Sequence, residues 1–303
     1  MKKLFIGDSL YTLLIFLLVE EYRDDSIYIF GKTIEKGDLN LNGKKYFFYE
    51  DFKRYKKSRN IFIRGYISFK ILFLSFLIGV KYTKTKRFGS DHLFMSRAFL
   101  KKGFTLIEDG SANYVCKKNF GRDKKVEKIY LSGMGEIPQE IREKTKIINL
   151  KALWKKKDDF EKNSILRIFK IKGSMVEKIR EKTMVLLTQP LCEDGVIDEK
   201  RKIELYENIL KNYDRRKIFI KKHPRETTNY KKYFPDILVI EEKFPWEIMD
   251  LLGVKMERAV TIFSSGVYGM GENIDFYGTE IDKTLFKKYG HCNLRRVHEF
   301  SRD

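Results

Sequence analysis

Short apolar runs that each end in a polar or glycine-bearing turn alternate along this chain with stretches whose apolar positions recur at helical spacing. Extended segments are expected at 3–6, 26–30, 45–49, 60–63, 84–86 and 104–107, with shorter pieces at 128–131 and 147–150. Helices are expected near 11–22, 68–80 and 91–101. A charged stretch at 154–180 reads as helical, and a second alternating block follows it. That block opens with an apolar strand at 184–190, stopped by Pro190. Ile203, Tyr206, Ile209, Leu210 and Tyr213 then mark one face of a helix, and strands are expected at 217–220, 237–240 and 259–263. Pro245 opens a helix near 246–252, and residues 282–289 carry a weak helical pattern. Strands alternating with helices are the mark of parallel βαβ units. The predicted class is α/β, with two doubly wound parallel-sheet domains facing a central cleft. The boundaries fall at 1–155, a helical linker 156–182, and 183–303 with a helical tail.

Two apolar stretches qualify that picture. Residues 10–19 follow Met1-Lys2-Lys3 as a signal peptide's core would, but Asp8 interrupts the pattern and Glu20-Glu21 stand where small cleavage-site residues belong. The segment therefore reads as strand, polar turn (Gly7-Asp8-Ser9) and buried helix. Residues 61–80 contain Arg64 and Lys70 and are read as a buried helix rather than a membrane span. A basic surface helix touching anionic lipid is the second reading, and it would suit an enzyme acting on a membrane-attached acceptor.

With 303 residues, 43% hydrophobic and 14% aromatic, the chain can build two cores of ordinary size. Five prolines leave little room for Pro-rich linkers, and no fixed-period repeat is present. The net charge of +20 favours anionic partners without choosing among nucleic acid, phospholipid and phosphorylated substrates. The lysines are spread along the chain with no nucleic-acid signature, so nucleic acid is not expected as the partner. Cys116, Cys192 and Cys292 are odd in number, far apart and lack a C-x-x-C pair, which supports neither a disulfide framework nor a zinc site and fits a reducing, cytoplasmic compartment.

Chemistry concentrates at expected strand ends. Lys221-Lys222-His223-Pro224-Arg225-Glu226 puts an imidazole between cations and before a proline expected to open a helix N-terminus, a setting for an anion. Glu108-Asp109-Gly110 and Ser264-Ser265-Gly266 close two further apolar runs. Such groups converge at the carboxyl ends of strands in open α/β sheets. A transferase working on an activated phosphate needs a carboxylate for the acceptor's proton, with Asp109 or Asp194 as candidates, and a group such as His223 to neutralise the leaving phosphate. Ser264, Ser265 and Gly266 form a candidate phosphate cradle, and Glu241 could accept hydrogen bonds from ribose hydroxyls. Each has an ordinary counterpart: Glu108-Asp109-Gly110 and Glu193-Asp194-Gly195 as turns, Ser264-Ser265 as a helix cap, Glu241-Glu242 as solvated charge. No P-loop, serine-hydrolase elbow or Rossmann glycine fingerprint is present.

The order of these pieces carries more than any one of them. Acid-acid-Gly at 108–110, Leu186-Leu187-Thr188-Gln189-Pro190, Lys222-His223-Pro224-Arg225-Glu226, Val239-Ile240-Glu241-Glu242 and Ile262-Phe263-Ser264-Ser265-Gly266 together resemble bacterial sialyltransferases, above all glycosyltransferase family 52. That family includes lipooligosaccharide and capsule sialyltransferases. The resemblance spans 104–266 and is most specific over 186–266. It implies a GT-B-type fold, with an acceptor-side first domain and a nucleotide-binding second domain. It also implies CMP-N-acetylneuraminic acid (CMP-Neu5Ac) as donor and inverting transfer to a galactoside hydroxyl of a cell-surface glycan, α2,3-linked, with neither metal nor cofactor. By the same resemblance Thr188, Gln189 and Pro190 approach the cytidine phosphate, and His223 with Pro224 contacts it. Glu241 holds ribose or base, and Ser264, Ser265 and Gly266 bind phosphate. The base falls on Glu193 or Asp194 by the family's pattern, and on Asp109 by that of related sialyltransferases. A peripheral position on the inner face of the cytoplasmic membrane and a homodimer complete the expectation. The competing readings are a GT-B transferase with another nucleotide-sugar donor and a basic polyanion-binding protein.

Overall fold

The computed structural model describes residues 1–20, 26–31, 33–48, 60–110, 112–116, 118–267, 270 and 273–292, Ser265 by its backbone alone. Two compact units result, Met1–Lys170 and Ile171–Asp303.

In the first unit, β1 (Lys3–Gly7) leads through the turn at Asp8 into α1 (Leu10–Val19). Ser9 caps that helix, its hydroxyl accepting the Thr12 N–H at 3.1 Å. Residues 12–18 of α1 are all buried, as a helix apolar on every side must be. The chain continues through β2 (Ile27–Phe30), β3 (Lys45–Phe48), α2 (Ile61–Lys81), β4 (Lys86–Gly89), β5 (Phe104–Ile107), α3 (Ala112–Val115), β6 (Val126–Leu131) and β7 (Thr145–Ile147) to α4 (Leu150–Lys156) and α5 (Asp159–Ile168). The strands form one sheet in the order β3-β2-β1-β4-β5-β6-β7, every pair parallel. The chain moves outward from β1 to β3, then crosses back to β4 and moves outward the other way. The carboxyl ends of β1 and β4 therefore flank a topological switch point, where such sheets open a crevice. Gly89 sits there at φ +129°, and a Cβ on it would lie 1.8 Å from the Ile6 carbonyl oxygen, so only glycine lets the two backbones meet.

Three expectations for this unit are corrected. Residues 60–63, expected as strand, are the cap and first turn of α2, because the Asn60 carboxamide accepts the N–H groups of Phe62 (2.9 Å) and Ile63 (3.4 Å). The buried-helix reading of 61–80 also fails: only Ile67, Ile71, Ser75, Ile78 and Gly79 face the core, while Phe62 is 84% and Phe69 67% exposed. The helix expected at 91–101 shrinks to a 3-10 turn at Phe94–Ala98, since Asp91 binds N–H groups of a distant loop instead of starting a helix.

The second unit opens with α6 (Gly173–Arg180) and runs through β8 (Met184–Leu187), α7 (Glu199–Leu210), β9 (Ile218–Lys221), α8 (Tyr230–Tyr233), β10 (Leu238–Ile240), α9 (Glu247–Leu251), β11 (Arg258–Thr261), β12 (Ile274–Phe276) and α10 (Lys283–Tyr289). Its sheet, ordered β10-β9-β8-β11-β12, is again parallel at every pair, with the switch point between β8 and β11. Asp198 caps α7 by accepting the Arg201 N–H at 2.7 Å. The buried stripe Lys202, Leu205, Tyr206, Ile209 and Leu210 turns that helix onto the sheet. Strand β12, which the hydropathy pattern did not indicate, exists by pairing Ile274 with Ala259 and Phe276 with Thr261. The unit boundary at Lys170 and Ile171 falls between α5 and α6, within the 156–182 span.

Candidate active site

At the switch point of the first sheet, the turn after β1 supplies Asp8, the loop after β4 supplies His92 and the end of β5 supplies Asp109. Their carboxylate and imidazole atoms lie within 4.8 Å of one another, all three residues half-buried. His92 Nε2 is 3.3 Å from Asp109 Oδ2, and the Thr12 hydroxyl of α1 lies 2.8 Å from Asp109 Oδ1 and 2.9 Å from the Glu108 carbonyl oxygen. Burial raises the Asp109 carboxyl above its ordinary value, opposed by His92 and by hydrogen bonds from Thr12 and Ser9. A carboxylate so held is a stronger base than an exposed one.

The His92 ring is fixed from behind. It stacks on Phe120 with centroids 4.5 Å apart. Asn119 and Phe120 adopt φ of 60° and 47°, rare for side chains other than glycine. Asp91 holds that conformation by accepting the N–H groups of Phe120 (3.0 Å) and Gly121 (2.7 Å). Glu108, next to the base candidate, faces the other way and is fully buried: it takes the Ser132 hydroxyl at 3.0 Å, the Ser132 N–H, and the Tyr114 hydroxyl at 3.3 Å. Asp8, His92 and Asp109 are also a donor set with the chemistry and reach to hold a divalent cation.

In the second unit the ends of β8, β9 and β11 are tied together. The Phe263 N–H donates to the Gln189 side-chain oxygen at 2.9 Å, and the Thr261 hydroxyl donates to the Leu187 carbonyl at 3.2 Å. Thr188, after β8, reaches the turn after β9, where its hydroxyl lies 3.4 Å from the His223 N and also bonds Glu226. Glu226 organises that turn. One carboxylate oxygen accepts the His223 N–H at 2.8 Å, and the other takes the Tyr230 hydroxyl at 2.6 Å and the Lys202 ammonium at 3.3 Å. This geometry corrects the helix start expected after Pro224. Residues 223–226 close a turn, Glu226 N–H to His223 carbonyl at 3.0 Å, because the Glu226 side chain folds back on the His223 backbone.

His223 Nδ1 accepts the Arg225 N–H at 3.1 Å, which assigns the proton of the neutral ring to Nε2 and makes that atom a donor. Burial, with Arg225 and Lys221 adding to it and Asp194 and Glu193 opposing, lowers the imidazole from 6.5 to about 4. Lys221, also buried, is lowered to about 8; it donates to the Glu242 carbonyl at 3.0 Å and lies 4.4 Å above the Phe244 ring. The turn is thus electropositive and holds a neutral imidazole, ready to gain charge when an anion arrives.

The remaining candidates fall into distinct settings. Glu193 accepts the Thr227 N–H at 2.7 Å and pairs with the buried Lys202 at 3.0 Å; although burial opposes it, these partners pull its carboxyl down to about 2, which leaves a weak base. Asp194 holds Arg225 through both oxygens, at 2.7 and 3.2 Å. Its N–H bonds the Pro190 carbonyl at 2.8 Å. Glu241 makes an exposed ion pair with Lys231 at 2.8 Å. The Ser264 hydroxyl accepts the Gly266 N–H at 3.2 Å and starts a 3-10 turn at Ser265–Val267, while a Cβ on Gly266 would press on Leu187 at 3.2 Å. The Ser265 side chain lies outside the described residues, and Pro224 is exposed. No role was assigned from sequence to Asp8, Thr12, His92, Lys202 or Glu226. Asp8 and His92 do follow strands in polar turns, but which strand ends adjoin depends on sheet order.

Two all-parallel α/β units, each with its polar groups at a switch point, define a GT-B-type fold. Solved structures agree on fold. The α/β-galactoside α-2,3-sialyltransferase of Photobacterium phosphoreum is similar with a TM-score of 0.52 and 11% identity over 94% of each chain. The GT-B domain of the Photobacterium damselae sialyltransferase gives 0.53 and 11%, over 91% of this chain and 90% of that one. The sequence profile of glycosyltransferase family 52 matches residues 64–285, and the chain belongs to that family. A Haemophilus influenzae protein described as uncharacterized is 37% identical over 310 residues, 96% of this chain and 99% of its own length. The protein is a glycosyltransferase.

Proposed function

We propose that this glycosyltransferase transfers N-acetylneuraminic acid from CMP-Neu5Ac to a galactoside hydroxyl with inversion at the anomeric carbon. Asp109 takes the acceptor proton as the new C–O bond forms. The bond from the anomeric carbon to the phosphate oxygen breaks, and CMP leaves with its added charge met by His223 Nε2–H. Departure from a tertiary carbon gives an oxocarbenium-like transition state, so placing the acceptor and absorbing charge at both ends are the main tasks.

The observation that carries this reading is the state of His223, a neutral, half-buried imidazole with its donor assigned to Nε2 by the Arg225 N–H and flanked by Arg225 and Lys221. Among the acids, Asp109 is favoured as base because burial raises its carboxyl, whereas Glu193 is saturated and Asp194 is clamped by Arg225. Thr188 supports the His223 turn, Gln189 holds the Phe263 backbone beside Ser264, and Ser264 adds a hydroxyl that can donate to the phosphate.

A metal is not required by this scheme, because a single phosphate monoester leaves. The Asp8, His92 and Asp109 donor set supplies the specific second reading, a metal-assisted transferase using another nucleotide sugar. Turnover of CMP-Neu5Ac in excess EDTA separates the two: retained activity supports the first, and loss restored by a divalent cation makes Asp109 a ligand instead of a base.

A further inference from the structure

Outside α2, Met134 and Ile147 are the large apolar side chains left exposed at the carboxyl edge of the first sheet among the described residues, at 51% and 49%. Met134 lies in the loop after β6, and Ile147 is the last residue of β7, the next strand. One exposed apolar side chain is ordinary. What sets Met134 apart is how firmly its loop is held. The Tyr114 hydroxyl accepts the N–H groups of Gly133 (2.9 Å) and Met134 (3.3 Å) and donates to Glu108 at 3.3 Å, so its proton and both lone pairs are used. The same Glu108 carboxylate takes the Ser132 hydroxyl at 3.0 Å and the Ser132 N–H. Gly133 bends at φ +83°, where a Cβ would stand 3.4 Å from Ile147 Cγ2, and a Cβ on Gly135 would come within 3.1 Å of the Tyr114 ring. Folding inward to bury Met134 would break bonds to a fully buried carboxylate.

The clamp also fixes where Met134 stands. Glu108 binds the loop and Asp109 follows it in the chain, so the loop and the proposed base are built on the same strand end. An acceptor sugar that brings one hydroxyl to Asp109 has the end of β6 as its neighbour on the side away from β4. A galactopyranoside ring is polar at its hydroxyls and carries a face of C–H groups. A polarizable thioether held out in water suits that face, because both lose apolar surface to water when they meet. We propose that Met134 is a specificity-determining residue, packing against the C–H face of the acceptor sugar while the reacting hydroxyl sits at Asp109, with Ile147 continuing the apolar wall behind Gly133. This rests on the transfer reading above and assigns it an acceptor contact.

Initial rates of the full chain with CMP-Neu5Ac and methyl β-lactoside test it. Met134→Asp should raise KM for the lactoside about tenfold or more while KM for the donor holds, and Met134→Leu should restore the wild-type value. Tyr114→Phe, which removes the acceptor of both loop N–H groups, should raise the same KM by a smaller factor. Should Met134→Asp melt below wild type, Met134→Ser gives the same reading. An acceptor KM unchanged in Met134→Asp, or a donor KM that rises in parallel, would overturn the proposal and leave the transfer itself standing. If wild type forms no product, saturation-transfer NMR of methyl β-lactoside on the protein with CMP present decides instead. Transfer lost in Met134→Asp and kept in Met134→Leu supports the acceptor contact and faults only the donor. No transfer to the lactoside from wild type, or equal transfer from all three proteins, overturns the contact.

Discussion

His223 and Glu193 are both depressed: burial disfavours the charged imidazole, while the partners of Glu193 outweigh its burial and favour the charged carboxylate. Between pH 6.5 and about 4 the unfolded chain takes up a proton at residue 223 that the folded chain refuses. Stability from this residue is therefore complete above pH 6.5 and declines as pH falls toward 4. Glu193, depressed from 4.5 to about 2, loses its contribution only as pH falls from 4.5 toward 2. Thermal melts of wild type, His223→Asn and Glu193→Gln from pH 7 to 3 should show the upper slope missing in the first variant and the lower slope reduced in the second. If His223→Asn follows the wild-type slope between pH 6.5 and 4, the ring is not held neutral. Asp109→Asn should lower kcat by about 10²–10⁴-fold with little change in KM for the donor. Asp194→Asn should cost far less, and the reverse order would move the base to Asp194. At this scale the sequence told which residue types matter and not their partners. His223 was legible because it ends an apolar run between cations, whereas Glu226, the last residue of the same motif, carried no role of its own until its bonds to His223, Tyr230 and Lys202 were visible.

Elements meet at the two switch points, and a few positions there govern the packing. Gly89→Ala would drive a Cβ into the Ile6 carbonyl from a positive-φ position. It should destabilise the chain by more than about 3 kcal/mol, read by denaturant unfolding. Lys202→Met leaves Glu193 and Glu226 facing each other without their shared buried cation. A loss of about 3–5 kcal/mol is expected, and a neutral outcome would mean that the network does not hold the His223 turn. Most strands were readable because each is a short apolar run closed by a polar turn, and their alternation with helices fixed the parallel class. Failures arose where a side chain outside the periodicity decided. Asn60 turned an apolar triplet into a helix start, and Asp91 spent its carboxylate on Phe120 and Gly121. β12 has no pattern of its own and depends on β11. The buried reading of α2 failed for a further reason, since an apolar composition does not say how much of a helix packs against the core.

On the scale of the whole chain, +20 net charge named a class of partner without a member. Membership in glycosyltransferase family 52 makes the anion a nucleotide-activated donor. If the second unit binds the nucleotide, CMP at 100 times its Kd should stabilise the protein by about 2.7 kcal/mol. That shift should appear without divalent cation and diminish in His223→Ala. The account is tested most directly by incubating the purified chain in EDTA with CMP-Neu5Ac and a panel of galactosides, then identifying the products by mass and linkage. A sialylated galactoside from wild type, absent with His223→Ala, is the expected result; no sialylated product, while another nucleotide sugar is consumed, would contradict it.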